Sequence, residues 1–414
     1  MNSEWKRDAL VCFTLLVTFC LLEAPAGDWD QIRGPHRDGV SQETGLVRGW
    51  GETGPLELWR VAVGPGFSGI SVAGSRIYGM DSDETTEYVF SREARTGQEV
   101  WRVKVGDFFK ELYGDGPRST PAIHGDRIYV LSSRGRLMAL HTGNGAEIWK
   151  VDFQDAFESK LPNWGFSSSP LVLEDQLIVE TGGSGPRAVS SFDAQTGQLN
   201  WSAKDDKIVY SSPQVMDCNG VRQLIFLTKT QLFALDTQGN QLWSTPFGNP
   251  NGVSPALPLF VAPDLIFVSA SYDAGAKVVR MKPDGPSVSV ETVWESQVMR
   301  NHFSTSVVQD HYVFGFDKTM FKCVDARNGE QQWVRRGLGK GSLIQADGML
   351  IALSERGKLH LVEVDATAYK ELASHQILSG RCWTQPSLAD GRLYLRNLKE
   401  MVCLDLRWRQ TEGP

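Results

Sequence analysis

Six cysteines in 414 residues form no C-x-x-C pair, which removes the usual signature of a zinc knuckle or a dithiol redox centre. Two of them, Cys12 and Cys20, fall in an N-terminal apolar run. The others, Cys218, Cys323, Cys382 and Cys403, are too few and too scattered for a disulfide framework, leaving room for one bridge or for buried thiols. The seven histidines show neither H-x-H nor H-E-x-x-H spacing, so a zinc site has no support. Positive charge is in deficit, 42 basic side chains against 49 acidic, a formal net charge of −7. Residues 1–26 carry Lys6 and Arg7 against Glu4, Asp8 and Glu23, so the balance without them is −6, and a nucleic-acid partner is disfavoured. Beyond residue 26 no stretch has the period of a long amphipathic helix.

At the N-terminus, Lys6 and Arg7 precede an apolar run over 9–22 and then Ala24-Pro25-Ala26, the order of a secretory signal peptide with an A-x-A cleavage site. The reading is a signal peptide over 1–26 and a mature chain from Gly27, periplasmic or secreted. The run has 14 residues, short of the roughly 20 needed for a spanning helix, so an uncleaved anchor is the alternative and no stable transmembrane span is expected after cleavage. Val11 and Phe19 precede the two cysteines, which is not the small residue of a lipoprotein site.

One phrase then recurs: an apolar stretch, an acidic or polar residue, a Gly turn, and a tryptophan four residues after the glycine. FDAQTGQLNW (192–201) shows it most fully, with variants at 235–243, 324–333, 92–101 and 140–149. Trp59 and Trp294 hold the same slot with the turn degraded. From Trp59 through Trp101, Trp149, Trp201, Trp243, Trp294 and Trp333 the steps are 42, 48, 52, 42, 51 and 39 residues, the range of four-stranded propeller blades. Each unit divides into short Ile/Val/Leu/Tyr-rich stretches bounded by Gly, Asp, Asn and Ser, the signature of strands and hairpins. The turn glycine supplies positive φ, and Asp193, Asp236 and Asp325 are placed to cap the turn through their carboxylates.

Seven units follow Trp59, starting near Ser68, Ser119, Ser167, Ser211, Ser254, Phe303 and Gly341, and an eighth begins near Cys382 but ends after three strands. LELWRVAV (56–63) is a closing strand with no unit of its own. The economical solution is an all-β, eight-bladed propeller over 56–407 whose last blade is completed by the N-terminal strand, removing open sheet edges. It is preceded by an arm over 27–55 and followed by a tail over 408–414. Seven blades are the alternative, because the unit from Gly341 to Leu378 lacks the tryptophan.

The repeated D-A-x-T-G-x-x-x-W phrase resembles the tryptophan-docking repeat of the pyrroloquinoline quinone (PQQ) dehydrogenase-like propellers, a family that also includes a non-enzymatic lipoprotein assisting outer-membrane β-barrel assembly. The resemblance covers roughly 56–407. Residues 29–41, with WGFSSSPL, NHFSTS, GKGSLIQADG and ALSERGKL, look like a subgroup of exported bacterial members of unassigned activity. For the enzymes the resemblance implies a catalytic Asp, a calcium held by carboxylates and amides, and often vicinal cysteines. This chain has no Cys-Cys pair, and no catalytic Asp or calcium ligand set maps onto it. Fold transfers between such relatives and activity does not, so no cofactor, metal site or catalytic residue is assigned.

Loops entering the innermost strands crowd one mouth of a propeller. Here they hold Asp115, Arg118, Asn163, Trp164, Tyr210, Asn249, Asn251, Arg300, Asn301, His302, Lys340, Arg381 and Trp383. Arg118, Trp164, His302, Arg381 and Trp383 are the candidate ligand-binding residues, since aromatic faces with guanidinium forks suit planar, anionic or sugar-like ligands and protein hot spots alike. The plainer reading packs the tryptophans into blade walls and sets the arginines to cap carbonyls. Gly64 to Gly69 spells G-x-G-x-x-G but opens no helix and reads as a blade connector. Asp81, Asp83, Glu84 and Glu87 read as a solvated acidic loop, His141 as a turn residue, and the arm as a segment wrapping the propeller. The expected function is a non-catalytic binding or scaffold module of the cell envelope, engaging an envelope protein or small ligand at the mouth. The alternatives are a small oxidoreductase using PQQ with calcium, with Trp164 as stacking platform, and a structural or sensory module docked through its arm.

Overall fold

The computed structural model describes residues 27–408 apart from 219, 285 and 286, so the expected signal peptide and all but the first residue of the tail lie outside the described residues. Eight four-stranded antiparallel sheets form the ring. Blade 1 runs from Ser71 to Asp107, and blades 2 to 7 begin with the strands Ala122–His124, Leu171–Leu173, Gln214–Cys218, Leu259–Val261, Val307–Gln309 and Gly341–Ala346. Blade 8 consists of Ser387–Ala389, Arg392–Arg396 and Glu400–Asp405, closed by the N-terminal strand Leu56–Ala62. That strand pairs Leu56 with Asp405 and Ala62 with Glu400, so the eight-bladed count and the circular closure both hold.

Inner strands are sandwiched between neighbouring blades and are apolar on both faces: every residue of Gly341–Ala346 and of Met349–Ser354 is buried. Outermost strands face water on one side, and in Gln331–Arg335 only Trp333 is buried. A β-bulge directly before the tryptophan recurs in every blade, for example at Glu57/Trp59 and opposite Ser91/Arg92. A bulge re-aims the following side chain, and here it turns the indole toward the next blade. Blade 7 keeps the bulge, with Ala373 in the tryptophan position.

Six of the seven repeat indoles bond to the turn of the next blade. Trp59, Trp101, Trp149, Trp201, Trp294 and Trp333 donate Nε1–H to the carbonyls of Ala94, Thr142, Ala194, Thr237, Ala326 and Asp365, at 2.7–3.1 Å. Trp243 instead donates to Gln223 Oε1 of its own blade at 2.6 Å. In blade 5 the hairpin pairing continues to Asp284 and Ser287. Below the rings stand turn glycines; at Gly197, φ is +74° and a Cβ would come within 2.6 Å of Trp149. Asp193 caps its turn by accepting from the Gln195 and Thr196 amides at 3.0 and 2.7 Å, and Asp236 and Asp325 do the same in theirs.

The first part of the arm, 29–41, plugs the channel, and the rest runs along blades 7 and 8, where Leu46 bridges Arg407 and Gly54 lies against His375. Trp29 bridges Val72 of blade 1, the Asp30 carbonyl accepts from Ile123 of blade 2, and Ser41 and Gln345 of blade 7 are joined through the backbone. Arg33 and Arg37 are fully buried there. Arg33 donates to the carbonyls of Thr305 and Ser306 and to Gln385 Oε1, while Arg37 donates to the carbonyls of Ser169 and Pro170. Burial pulls their pKa values down to about 10 and about 9, so both stay cationic at neutral pH. Two smaller readings change as well. Asp81 and Glu87 are buried, Asp81 against Arg102 at 2.6 Å and Glu87 accepting from the Ser133 amide at 2.9 Å, so only Asp83 and Glu84 remain as a solvated loop. The four cysteines among the described residues are free, buried thiols.

Candidate functional site

With one end of the channel plugged, the mouth becomes a blind cup of about 450 Å³ whose floor is Trp29, Gln31, Ile32 and Arg33. All five candidate residues line it: Arg118, Trp164, His302, Arg381 and Trp383. Tyr210 and Lys340 do too, whereas Asp115, Asn163, Asn249, Asn251, Arg300 and Asn301 do not. Asn249 and Asn301 are buried and hold their own loops, donating to the carbonyls of Val253 and Phe316. Arg300 makes a bidentate pair with Asp317 at 2.7 and 2.9 Å.

Trp383 is the hub of the aromatic wall. Phe303, Phe67 and Tyr113 stack on it at 4.9, 5.5 and 6.5 Å, the Arg381 guanidinium stands 4.7 Å from its centroid, and its Nε1–H reaches Glu355 at 3.3 Å. Trp164 stands apart, inclined by 65° to Tyr113 and 53° to Tyr210. Phe67, Tyr113, Tyr272 and Phe303 are lining residues the sequence did not single out. Phe67 sits in the G-x-G-x-x-G connector, and Tyr113 in the same loop as Arg118.

The two candidate arginines differ in availability. Arg118 is engaged, donating to the carbonyls of Gly114 and Gly116 at 2.7 Å each and lying 3.4 Å from Glu111. It does cap carbonyls, as the plainer reading had it, yet from within the cup. Arg381 is exposed and gives one N–H to the Tyr113 carbonyl. His302 Nε2 lies 3.1 Å from the Tyr272 hydroxyl. Burial, reinforced by Lys340, lowers the His302 pKa to about 4, and burial raises that of Tyr272. Both are therefore neutral near pH 7, joined by a hydrogen bond.

The family model described as outer membrane protein assembly factor BamB matches residues 86–335, more than half of the chain. The chain belongs to this PQQ-like repeat family. Among PQQ-like relatives, BamB of Burkholderia pseudomallei is 27% identical over 207 residues, 48% of each chain. Quinohemoprotein alcohol dehydrogenase ADH IIB of Pseudomonas putida is 29% identical over 141 residues, 31% of this chain and 20% of the enzyme. These matches span about half the length of the first relative and a fifth of the second. Of solved structures, a europium-containing methanol dehydrogenase superposes with a TM-score of 0.63 at 12% identity, covering 89% of both chains, a likeness of fold alone.

Quinoprotein chemistry asks for a metal-held quinone, and the residues present do not fit one. Among the described residues no three His, Cys, Asp or Glu side chains converge on a point. The carboxylate lining the cup, Glu111, already faces Arg118 and accepts from the Tyr113 amide at 2.7 Å. A calcium ion binds through six to eight oxygens, several of them carboxylate, and this wall presents guanidinium and ammonium groups instead.

Proposed function

We propose that the chain is an exported, non-catalytic binding module of the cell envelope that holds its ligand or partner in the blind cup at the propeller mouth. The observation that carries this reading is the cup itself: its floor is the chain's own arm, anchored by buried arginines, and its wall is aromatic and cationic. A cup of this volume lies within the usual range of ligand sites, apolar surface with a few convergent polar groups. BamB relatives, whose name assigns them to outer-membrane protein assembly, support the envelope location.

The test is a thermal-shift and absorbance titration of the purified chain with PQQ and calcium. Ligand that binds the folded state raises the melting point by mass action. No shift at high micromolar PQQ is expected; saturable stabilisation with dye reduction by an alcohol would replace this reading with the quinoprotein one. In parallel, a photo-crosslinker at Leu112, which is 88% exposed beside the cup, should trap an envelope component in the native host, whereas one at Leu199 on an outer strand should not.

A further inference from the structure

We propose that the cup recognises an acidic saccharide, a pyranose unit bearing carboxylate or sulfate, without a metal. The proposal rests on the binding reading above and names what is bound. Three features of the wall converge on it.

The first is charge. Arg33, Arg118, Lys340 and Arg381 line the cup against Glu111 alone, in a chain whose net charge is −7. A concave site of one sign with low-dielectric walls focuses its field on the opposite charge. Arg33 and Arg118 are committed to backbone carbonyls, but Lys340 Nζ has no hydrogen bond or ion pair among the described residues, and most of the Arg381 fork is free. These two cations precede the first strands of neighbouring blades 7 and 8.

The second is the kind of group left unmatched. The indole Nε1–H of Trp164, the ammonium of Lys340 and the remaining N–H groups of Arg381 are all donors. A complementary ligand therefore carries acceptors, anionic oxygens above all.

The third is ring orientation. A flat polycycle is held best between parallel aromatic faces, yet Trp164 meets its neighbours at 53° and 65°, and Trp383 is already stacked by Phe303, Phe67 and Tyr113. What remains is a single inclined platform beside hydrogen-bond donors. That suits a pyranose, whose one face of weakly positive C–H groups rests on the negative face of the ring while its oxygens turn to the cations. The geometry thereby separates this chain from a quinone-binding relative by shape as well as by missing metal ligands.

Isothermal titration of the full mature chain at two salt concentrations tests this. The probes are trigalacturonate, a sulfated chondroitin disaccharide, neutral cellotriose, metal-free PQQ and hexaglutamate. Saturable, salt-sensitive binding of one or both acidic sugars is expected, with the pair of arms deciding between carboxylate and sulfate. Lys340→Ala and Arg381→Ala should each weaken it about tenfold, the loss of one charge-assisted hydrogen bond, and Trp164→Ala at least as much, with melting points unchanged. Equal binding of cellotriose, tighter binding of PQQ or hexaglutamate, or no acidic sugar bound at millimolar concentration would overturn the proposal. If it fails while the Leu112 crosslink persists, the ligand class is wrong and the binding module stands; if the crosslink is also lost, the reading beneath it fails.

Discussion

Replacing Trp59 with alanine strikes the ring where the N-terminal strand closes blade 8 against blade 1. The indole is 8% exposed, leans on Tyr394 of blade 8 at 5.9 Å, and hydrogen-bonds the Ala94 carbonyl of blade 1 at 3.0 Å. Truncation of a buried tryptophan costs about 3–5 kcal/mol. A sharper reading comes from its seat, Gly97, where φ is +71° and an added Cβ would come within 2.9 Å of the Trp59 ring. Gly97→Ala in the natural chain meets both that clash and the left-handed backbone, the latter about 1–2 kcal/mol. In the Trp59→Ala background the ring clash is gone, leaving the backbone cost and a tight contact with Val61 Cγ1 at 3.0 Å that is common to both backgrounds. A double-mutant cycle by urea unfolding should therefore give a coupling of about 1–2 kcal/mol, the double variant being less destabilised than the two singles together. The Trp243→Ala control, whose indole bonds Gln223 within its own blade, should show no coupling to Gly97. Additivity within about 0.5 kcal/mol for the Trp59 pair would refute the docking argument.

Three further outcomes follow from the same structure. Arg33→Met strands the carbonyls of Thr305 and Ser306 and should destabilise by on the order of 2 kcal/mol, measured as a lower urea midpoint; an unchanged midpoint would deny the arm its anchoring role. Glu180 is buried with neither oxygen hydrogen-bonded, and desolvation raises its pKa well above 4.5. The folded chain thus keeps a proton the unfolded chain releases, so stability falls as pH rises from 4.5 toward the folded value. Glu180→Gln, uncharged and of like shape, escapes that loss, and its midpoint advantage over the natural chain should widen between pH 4.5 and 8; a constant gap would contradict this. Asp193→Ala removes the cap from the turn that seats Trp149 and should cost about 1 kcal/mol, seen by the same denaturation; no loss would mean the turn holds without its carboxylate.

How much was legible follows from range. The D-A-x-T-G-x-x-x-W phrase is local, a capped turn, a bulge and a docked indole within ten residues, so Asp193, Gly197 and Trp201 announce their roles. Ring closure was legible because 56–63 had no blade of its own. The five mouth candidates meet in one cup because every loop entering a first strand converges on the same axis. Residue type in such a loop does not reveal where a side chain spends its hydrogen bonds, and so Asn249, Arg300 and Asn301 turned out to be structural. The cup floor was illegible: Arg33 reaches Thr305, 272 residues away, and nothing in residues 29–41 distinguishes a plug from a wrapping strap.

One segment does two tasks, closing the ring and flooring the site. Amide hydrogen exchange on the purified protein measures both at once. The hydrogen-bonded amides within 29–41, among them Trp29 and Ser41, and those of 56–62 that pair with 400–405 should be strongly protected. Exchange there at the rate of the exposed loop tip at Leu112 and Tyr113 would mean an open channel and an unsealed ring, and the cup would not exist.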